Sequence, residues 1–271
     1  MSELESPFKA NRSSLSIVRS VLFALFLREM QTRFGARRMG FVWVILEPLA
    51  ILVIVLVFHA LLKATRMQSL DYVMFLVSGI VPFHMMRSIV WRLTDAIQAN
   101  QGLFAYRQVA PFDTFVARLI VELCTYSCAY IIICAFLGFW FQHDVLISNP
   151  LEWLGALAVG VFLSFWLGVA YAMISHSIPG AARVCKMTLI PLYLTSGILF
   201  PVWNLPERQV SFFSWNPYVD VIDNVRAAVF DNYPVTKGLN YGYPLVFSVV
   251  LAFLVMVAYR RQRQLLRSAP V

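Results

Sequence analysis

Charge is scarce in this sequence of 271 residues: 13% are Asp, Glu, Lys or Arg, against 60% apolar. A soluble domain averages about 25% charged and about 45–50% apolar residues. So much apolar side chain cannot be placed inside one water-soluble core. No glycine is followed by lysine, which excludes the G-x-x-x-x-G-K-[ST] phosphate loop. Neither H-E-x-x-H nor G-x-S-x-G occurs, and no hydrophilic stretch is long enough for a nucleotide domain. Such a chain has no catalytic motif, and energy for uphill movement would come from a partner chain or an ion gradient. The first twenty residues hold Glu3, Glu5, Pro7 and scattered basic residues without an apolar centre, so no cleavable leader is expected. Cysteine is sparse too. Cys124, Cys128 and Cys134 fall in one apolar stretch and Cys185 beside Arg183 and Lys186, positions unsuited to a disulfide framework. Cys124 and Cys128 share a helical face, but Cys134 points off it and no histidine is near in sequence. Helix packing is favoured over metal binding, and no metal or cofactor is expected in this chain.

What is present is a set of apolar runs. A bilayer core takes about 20 apolar residues per helix, and six segments qualify: 40–62, 72–92, 113–140, 151–178, 187–204 and 241–259. The fold class is therefore an all-α polytopic membrane protein with six transmembrane helices, one transmembrane domain over 1–271. Residues 15–27 are also apolar, but Arg19 and Arg28 bracket a run too short to cross. An interfacial helix fits, with a short seventh span as the alternative. Of the 22 Lys and Arg residues, seventeen lie in the N-terminal region, at 87–118, at 183–186 and in the C-terminal tail; five lie on the alternate side. The positive-inside rule then puts both termini in the cytoplasm. The net charge of +8 is mostly this orientation signal, and nucleic acid is not an expected partner.

Two connecting segments carry more than connection. Residues 93–101 suit a short helix broken by Gly102, with Pro111 stopping further helix and Asp113 placed to N-cap the third span. Leu103, Phe104 and Tyr106 would form an exposed knob for a soluble partner; a solvated or interfacial turn is the alternative. Residues 205–240 are long enough to be an element. Val221, Ile222, Val225, Ala228 and Val229 recur at helical spacing, with Asp220, Asp223 and Arg226 elsewhere on the turn. An amphipathic helix dipping into the outer leaflet fits, with the acids on a solvated face; a plain loop is the alternative. Pro191, Gly197 and Pro201 interrupt the fifth span just before it, which fits a broken helix turning near the outer surface, with re-entrant or amphipathic helices between spans five and six.

Ionisable residues inside spans are costly and point to function. Glu47 has no sequence-local partner and could meet an arginine of 28–38; Glu122 and His59 follow. Glu122 has Arg118 one turn earlier, at the spacing of an ion pair on one helix. Arg87 and Arg92 would snorkel to the inner interface. Trp43, Trp91, Trp140, Trp153 and Trp203 cluster near span ends. Belt anchoring explains them, though aromatic rings also suit a conduit for sugars.

The run Leu27 to Pro48, LREMQTRFGARRMGFVWVILEP, is similar to the opening signature of ABC-2 type polysaccharide and polyol phosphate exporters. Gln98 to Arg107, QANQGLFAYR, followed by Pro111, Asp113, Thr114, Ala117 and Arg118, resembles the capsular polysaccharide export permeases of Gram-negative bacteria. Trp215-Asn216-Pro217 agrees. The neutral Gln98 stands where some relatives carry an acid. The resemblance covers essentially the whole chain. It implies a homodimer in the bacterial inner membrane, paired with a separately encoded cytoplasmic ABC ATPase that binds ATP and Mg. The implied substrate is a lipid-linked, often acidic polysaccharide. Residues 12–34 would be an interfacial helix flanking substrate access, where Arg28, Arg33, Arg37, Arg38, Trp43 and Glu47 would receive the glycolipid. Residues 93–106 would be the coupling helix, engaging the ATPase through Asp95, Gln98, Asn100, Gln101, Gly102, Leu103 and Phe104. Residues 205–238 would form a periplasmic gate, with Trp215, Asn216, Pro217, Asp220, Asp223 and Arg226, contacting a periplasmic adaptor or co-polymerase protein. O-antigen or teichoic acid export is the close alternative. An ion-coupled secondary transporter, with Glu47 and Glu122 as proton carriers, is the alternative of another class. A membrane glycosyltransferase would need catalytic carboxylates that the spacing of Asp220, Asp223 and Asp231 does not supply.

Overall fold

The computed structural model describes residues 14–35, 40–61, 70–106, 108–234 and 240–267. In chain order the helices are α1 (Ser14–Met30), α2 (Gly40–Leu61), α3 (Tyr72–Thr94), α4 (Ala96–Asn100), α5 (Pro111–Phe141), α6 (Pro150–Ser177), α7 (Ala181–Met187), α8 (Leu189–Leu194), α9 (Glu207–Phe213), α10 (Pro217–Val229) and α11 (Gly242–Arg267). No strand occurs among the described residues. A π-helical turn, Gln31–Gly35, continues α1, and 3-10 turns cover Gln101–Leu103 and Val202–Asn204.

Helix starts follow from local chemistry. Asp71 N-caps α3, its Oδ1 accepting from the amides of Val73 (2.9 Å) and Met74 (3.4 Å). Pro111, Pro150 and Pro217 occupy first-turn positions, where a missing N–H costs nothing. Asp113 is not the N-cap that the sequence predicts. It sits at the third position of α5 and accepts from the Ala110 amide at 2.8 Å, because the proline shifts the helix start upstream.

Helix α3 is the axis of the bundle. Met74 to Met86 are buried without interruption, and α3 packs on α6, α5, α2 and α10. Helix α11 covers α6, and α1 lies along α5. In a bilayer such association is driven by close packing and by hydrogen bonds between helices rather than by release of water. Helices α3, α5 and α6 and residues Gly242–Gln262 of α11 are long and apolar enough to cross a membrane. Helix α2 matches the first predicted span in extent.

The fifth predicted span, 187–204, is not one crossing helix. Helices α7 and α8 meet at Thr188, and α8 ends at Leu194. Beyond it Gly197 takes φ +69°, and the chain turns back through Pro201 into α9 and α10. Helix α10 occupies the space so left, packed on α6, α3 and α11.

Candidate functional site

Two polar assemblies sit at opposite ends of this bundle. The first ties α1 and its π turn to α3, α4 and α5. Arg28 Nη1 donates to Asn100 Oδ1 at 2.7 Å, joining α1 directly to α4. Asn100 is buried, and its own amide donates to the Ala96 carbonyl at 2.8 Å. One helical step on, Glu29 accepts from Arg118 Nε at 2.9 Å, while Arg118 Nη1 donates to the Arg92 carbonyl at 2.6 Å. Glu122, fully buried, takes Arg33 on Oε1, with Arg92 Nε at 2.9 Å on the same oxygen and Ser88 Oγ donating at 2.7 Å to the other. Burial lowers the Arg33 guanidinium from its ordinary value, with the neighbouring Glu122 carboxylate acting in the opposite direction. Each of the two carboxylates is held by at least one arginine, and such pairing is the condition for keeping these groups in low-dielectric surroundings. The α4 end is held further by Asp95, which pairs with Lys186 of α7, and by Gln98, whose amide donates to the Ser175 carbonyl (3.2 Å) and hydroxyl (3.3 Å).

The second assembly centres on Arg226. Its guanidinium is fully buried and donates to three carbonyls: Phe75 (3.2 Å), Gly197 (2.8 Å) and Ile198 (2.6 Å). It also stacks over the Phe75 ring, with Cζ 3.6 Å from the centroid. The 197–198 turn lacks helical partners for its carbonyls, and Arg226 supplies them. Asn216 caps α10 by accepting from the Tyr218 amide at 3.0 Å, and donates to the Leu192 carbonyl and Thr195 Oγ1, both at 2.9 Å. Asp223 accepts from the Tyr233 hydroxyl at 2.6 Å, and Asp220 from the Asn240 amide at 2.8 Å. Burial pushes the Asp220 carboxyl up to about 6; the Asn240 amide opposes this and Asp223 adds to it. Gly197→Ala is expected to cost about 1–2 kcal/mol from the left-handed backbone alone, and more because its Cβ would collide with Val202. A fall in the thermal midpoint of the purified protein would register it.

A model of the ABC-2 type transporter family matches residues 20–230, most of the chain. The chain belongs to the ABC-2 type transporter family. It is 35% identical over 254 residues to the polysialic acid transport protein KpsM of Escherichia coli, covering 93% of this chain and 97% of that one. Over 249 residues it is 28% identical to the capsule polysaccharide export inner-membrane protein CtrC of Neisseria meningitidis, 91% of this chain and 90% of the relative. The inner-membrane protein BexB of Haemophilus influenzae, also named for capsule polysaccharide export, is 28% identical over 250 residues, with 91% and 92% covered.

Within this ABC-2 chain the predicted site residues sort unevenly. Arg28 is bound to Asn100 and Arg33 to Glu122; Arg37 and Arg38 lie outside the described residues, as does the His59 side chain. Trp43 is exposed on α2. Among the described residues Glu47 meets neither Arg28 nor Arg33: its Oε1 lies 3.7 Å from Arg87 Nη1 and 3.7 Å from His84 Nδ1, both on α3. Arg87 and Arg92 therefore reach acids within the bundle, where the sequence suggests snorkelling. Nor does Arg118 pair with Glu122, since α1 brings Glu29 to the first and Arg33 to the second. In the 93–106 segment the α-helix ends at Asn100, close to the break expected at Gly102, which lies inside the 3-10 turn with Gln101 and Leu103. Phe104 is buried against the α3–α5–α6 core and Leu103 is half-buried, so the exposed knob reduces to Tyr106. Trp215 is half exposed, while Asn216 and Pro217 are buried. Asp220, Asp223 and Arg226 are buried rather than solvated, because α10 enters the bundle instead of lying across it. Glu29, Ser88 and His84 escaped the sequence reading, since each finds its partner on another helix. Among the described residues no group of three His, Cys, Asp or Glu side chains gathers to hold a metal.

Proposed function

We propose that this chain is the membrane permease of an ATP-binding cassette exporter that carries a lipid-linked capsular polysaccharide outward across the bacterial inner membrane. The observation that carries this reading is the likeness, over more than nine-tenths of the chain, to relatives named for capsule polysaccharide export and polysialic acid transport. ATP and Mg act on a separate cytoplasmic ATPase, in keeping with a sequence that has no phosphate loop. Two permease copies assemble with two such subunits, with both termini cytoplasmic. The α4 segment with its 3-10 turn receives the ATPase, and the Arg28–Asn100 and Asp95–Lys186 contacts pass its displacement to α1 and α7. Of the four arginines assigned to glycolipid recruitment, Arg37 and Arg38 carry that task with Arg28, since Arg33 is taken up by Glu122. The α8–α10 segment forms the outer gate and meets the periplasmic adaptor.

The test is co-purification. Expressed with a phosphate-loop ATPase of the same export system, the chain should be recovered in a stoichiometric complex whose ATP hydrolysis rises when lipid-linked polymer from the host is added to proteoliposomes. Recovery without any ATPase, or hydrolysis indifferent to the polymer, would sink this reading.

A further inference from the structure

Glu47 and Arg87 present an anomaly inside the bundle. Their side chains are 36% and 35% exposed, yet both lie on apolar helices. Arg87 is seven residues short of the Thr94 end of α3, about 10 Å along the axis, and so level with the hydrocarbon. Charges at that depth are not left against lipid tails; they face a partner or a water-filled path. Between them lies a cavity of about 190 Å³ lined by Glu47, His84, Arg87, Ser88, Trp91 and Tyr126. The neighbouring grooves between α3, α5 and α6, lined by residues such as Val81, Pro82, Leu157 and Val161, are apolar and suit acyl chains.

We propose that this polar cavity is a subsite for a single sugar ring of the translocated polymer, with Glu47 and Arg87 binding a pair of vicinal hydroxyls and Trp91 stacking on the ring. The proposal rests on the reading of the chain as a polysaccharide permease. Glu47 and Arg87 stand 3.7 Å apart, beyond direct hydrogen-bond range, so each retains capacity for another partner. A carboxylate only accepts and a guanidinium only donates, and adjacent sugar hydroxyls can satisfy both at once. The pair has no net charge, which matches a neutral diol; a sugar carboxylate would be repelled by Glu47. Buried His84 also lines the cavity, with its Nδ1 3.7 Å from Glu47 Oε1. Trp91 is 43% exposed, with Lys186 Nζ 4.7 Å from its ring centroid. A ring has two faces, and one cation occupies only one of them. Trp43, one turn from Glu47 on the same face of α2, offers a second exposed ring. Pockets for drug-sized ligands run to about 300–1,000 Å³, so this one takes a ring rather than an oligosaccharide. A shallow site is what a moving chain requires, since strong binding would arrest it.

The experiment replaces Trp91 with the photoreactive p-benzoylphenylalanine in the full transporter, in cells that make the polymer. After irradiation, the purified permease is stained by periodate–Schiff chemistry, which reports vicinal diols. A glycan-positive ladder is expected, lost when polymer synthesis is blocked and not formed when the probe replaces Phe139, an exposed apolar residue of α5. A dimer-sized band without glycan, or no adduct while export continues, would overturn the subsite and leave the permease reading standing. Should that variant not insert, export rates of Trp91→Phe and Trp91→Leu decide: the phenyl ring should export faster, and equal rates overturn the proposal. Glu47→Leu/Arg87→Met removes both charges, a change that a merely structural ion pair often tolerates. It should insert normally and export at least tenfold more slowly; native export would refute the subsite. If the wild-type chain supports no polymer export at all, the permease reading fails, and the subsite with it.

Discussion

Glu122→Leu should cost the folded permease about 3–5 kcal/mol, the penalty for removing one member of a buried ionic group. The carboxylate receives Arg33, Arg92 and the Ser88 hydroxyl, and it is fully buried. Without it, Arg33 is left nearly buried with no counter-charge, while Arg92, a third exposed, can turn outward. The α1 segment should then detach from α5, and because Arg28 holds Asn100, the α4 segment should loosen with it. Thermal unfolding in detergent measures the loss. Arg33→Met added to Glu122→Leu should recover much of it, since the pair then leaves no stranded charge. A single Glu122→Leu protein as stable as wild type would mean that the ion pairs do not hold α1 in place.

Arg226→Ala is expected to be as damaging at the other end. Three carbonyls lose their donor, and each buried polar group left unpaired costs about 1–3 kcal/mol. The residue fixes α10 to the 197–198 turn and to α3, so its removal should release the whole segment from α8 to α10. Gly79→Val approaches the same contact from α3. A Cβ at Gly79 would overlap Arg226 Nη2, and the guanidinium cannot retreat without surrendering its carbonyls. Both variants should expose sites in 195–234 to proteinase K in the solubilised protein, where wild type resists, and both should lose export. Cleavage resistance equal to wild type would show that Arg226 is not the anchor.

Residue patterns reveal where this chain is helical and which segments leave the regular up-and-down path. Residues 14–35, 96–103 and 217–229 all form the elements expected, because apolar periodicity and proline position are local properties. Partner choice is not local. Arg33 reaches Glu122 across 89 positions and Arg226 reaches Phe75 across 151. A helical-wheel reading pairs Arg118 with Glu122, and offers no way to see that α1 supplies a better partner to each. It also cannot tell a polar face turned to water from one turned into a bundle, which is why Asp220 and Asp223 read as solvated. The fifth span is a broken one, as Pro191, Gly197 and Pro201 suggest: residues 181–194 form two short helices, and Gly197 and Pro201 turn the chain beyond them. Family likeness, carried by the Leu27–Pro48 and Gln98–Arg107 runs, supplied the function that no catalytic motif could.

The central claim is that this chain moves a finished polymer outward. Its most direct test is where the polymer resides in cells from which only this chain has been deleted. Lipid-linked polysaccharide should accumulate in the cytoplasm, with none on the surface, and surface display should return with the intact gene but not with Arg226→Ala. Undiminished surface polysaccharide in the deletion strain would contradict it.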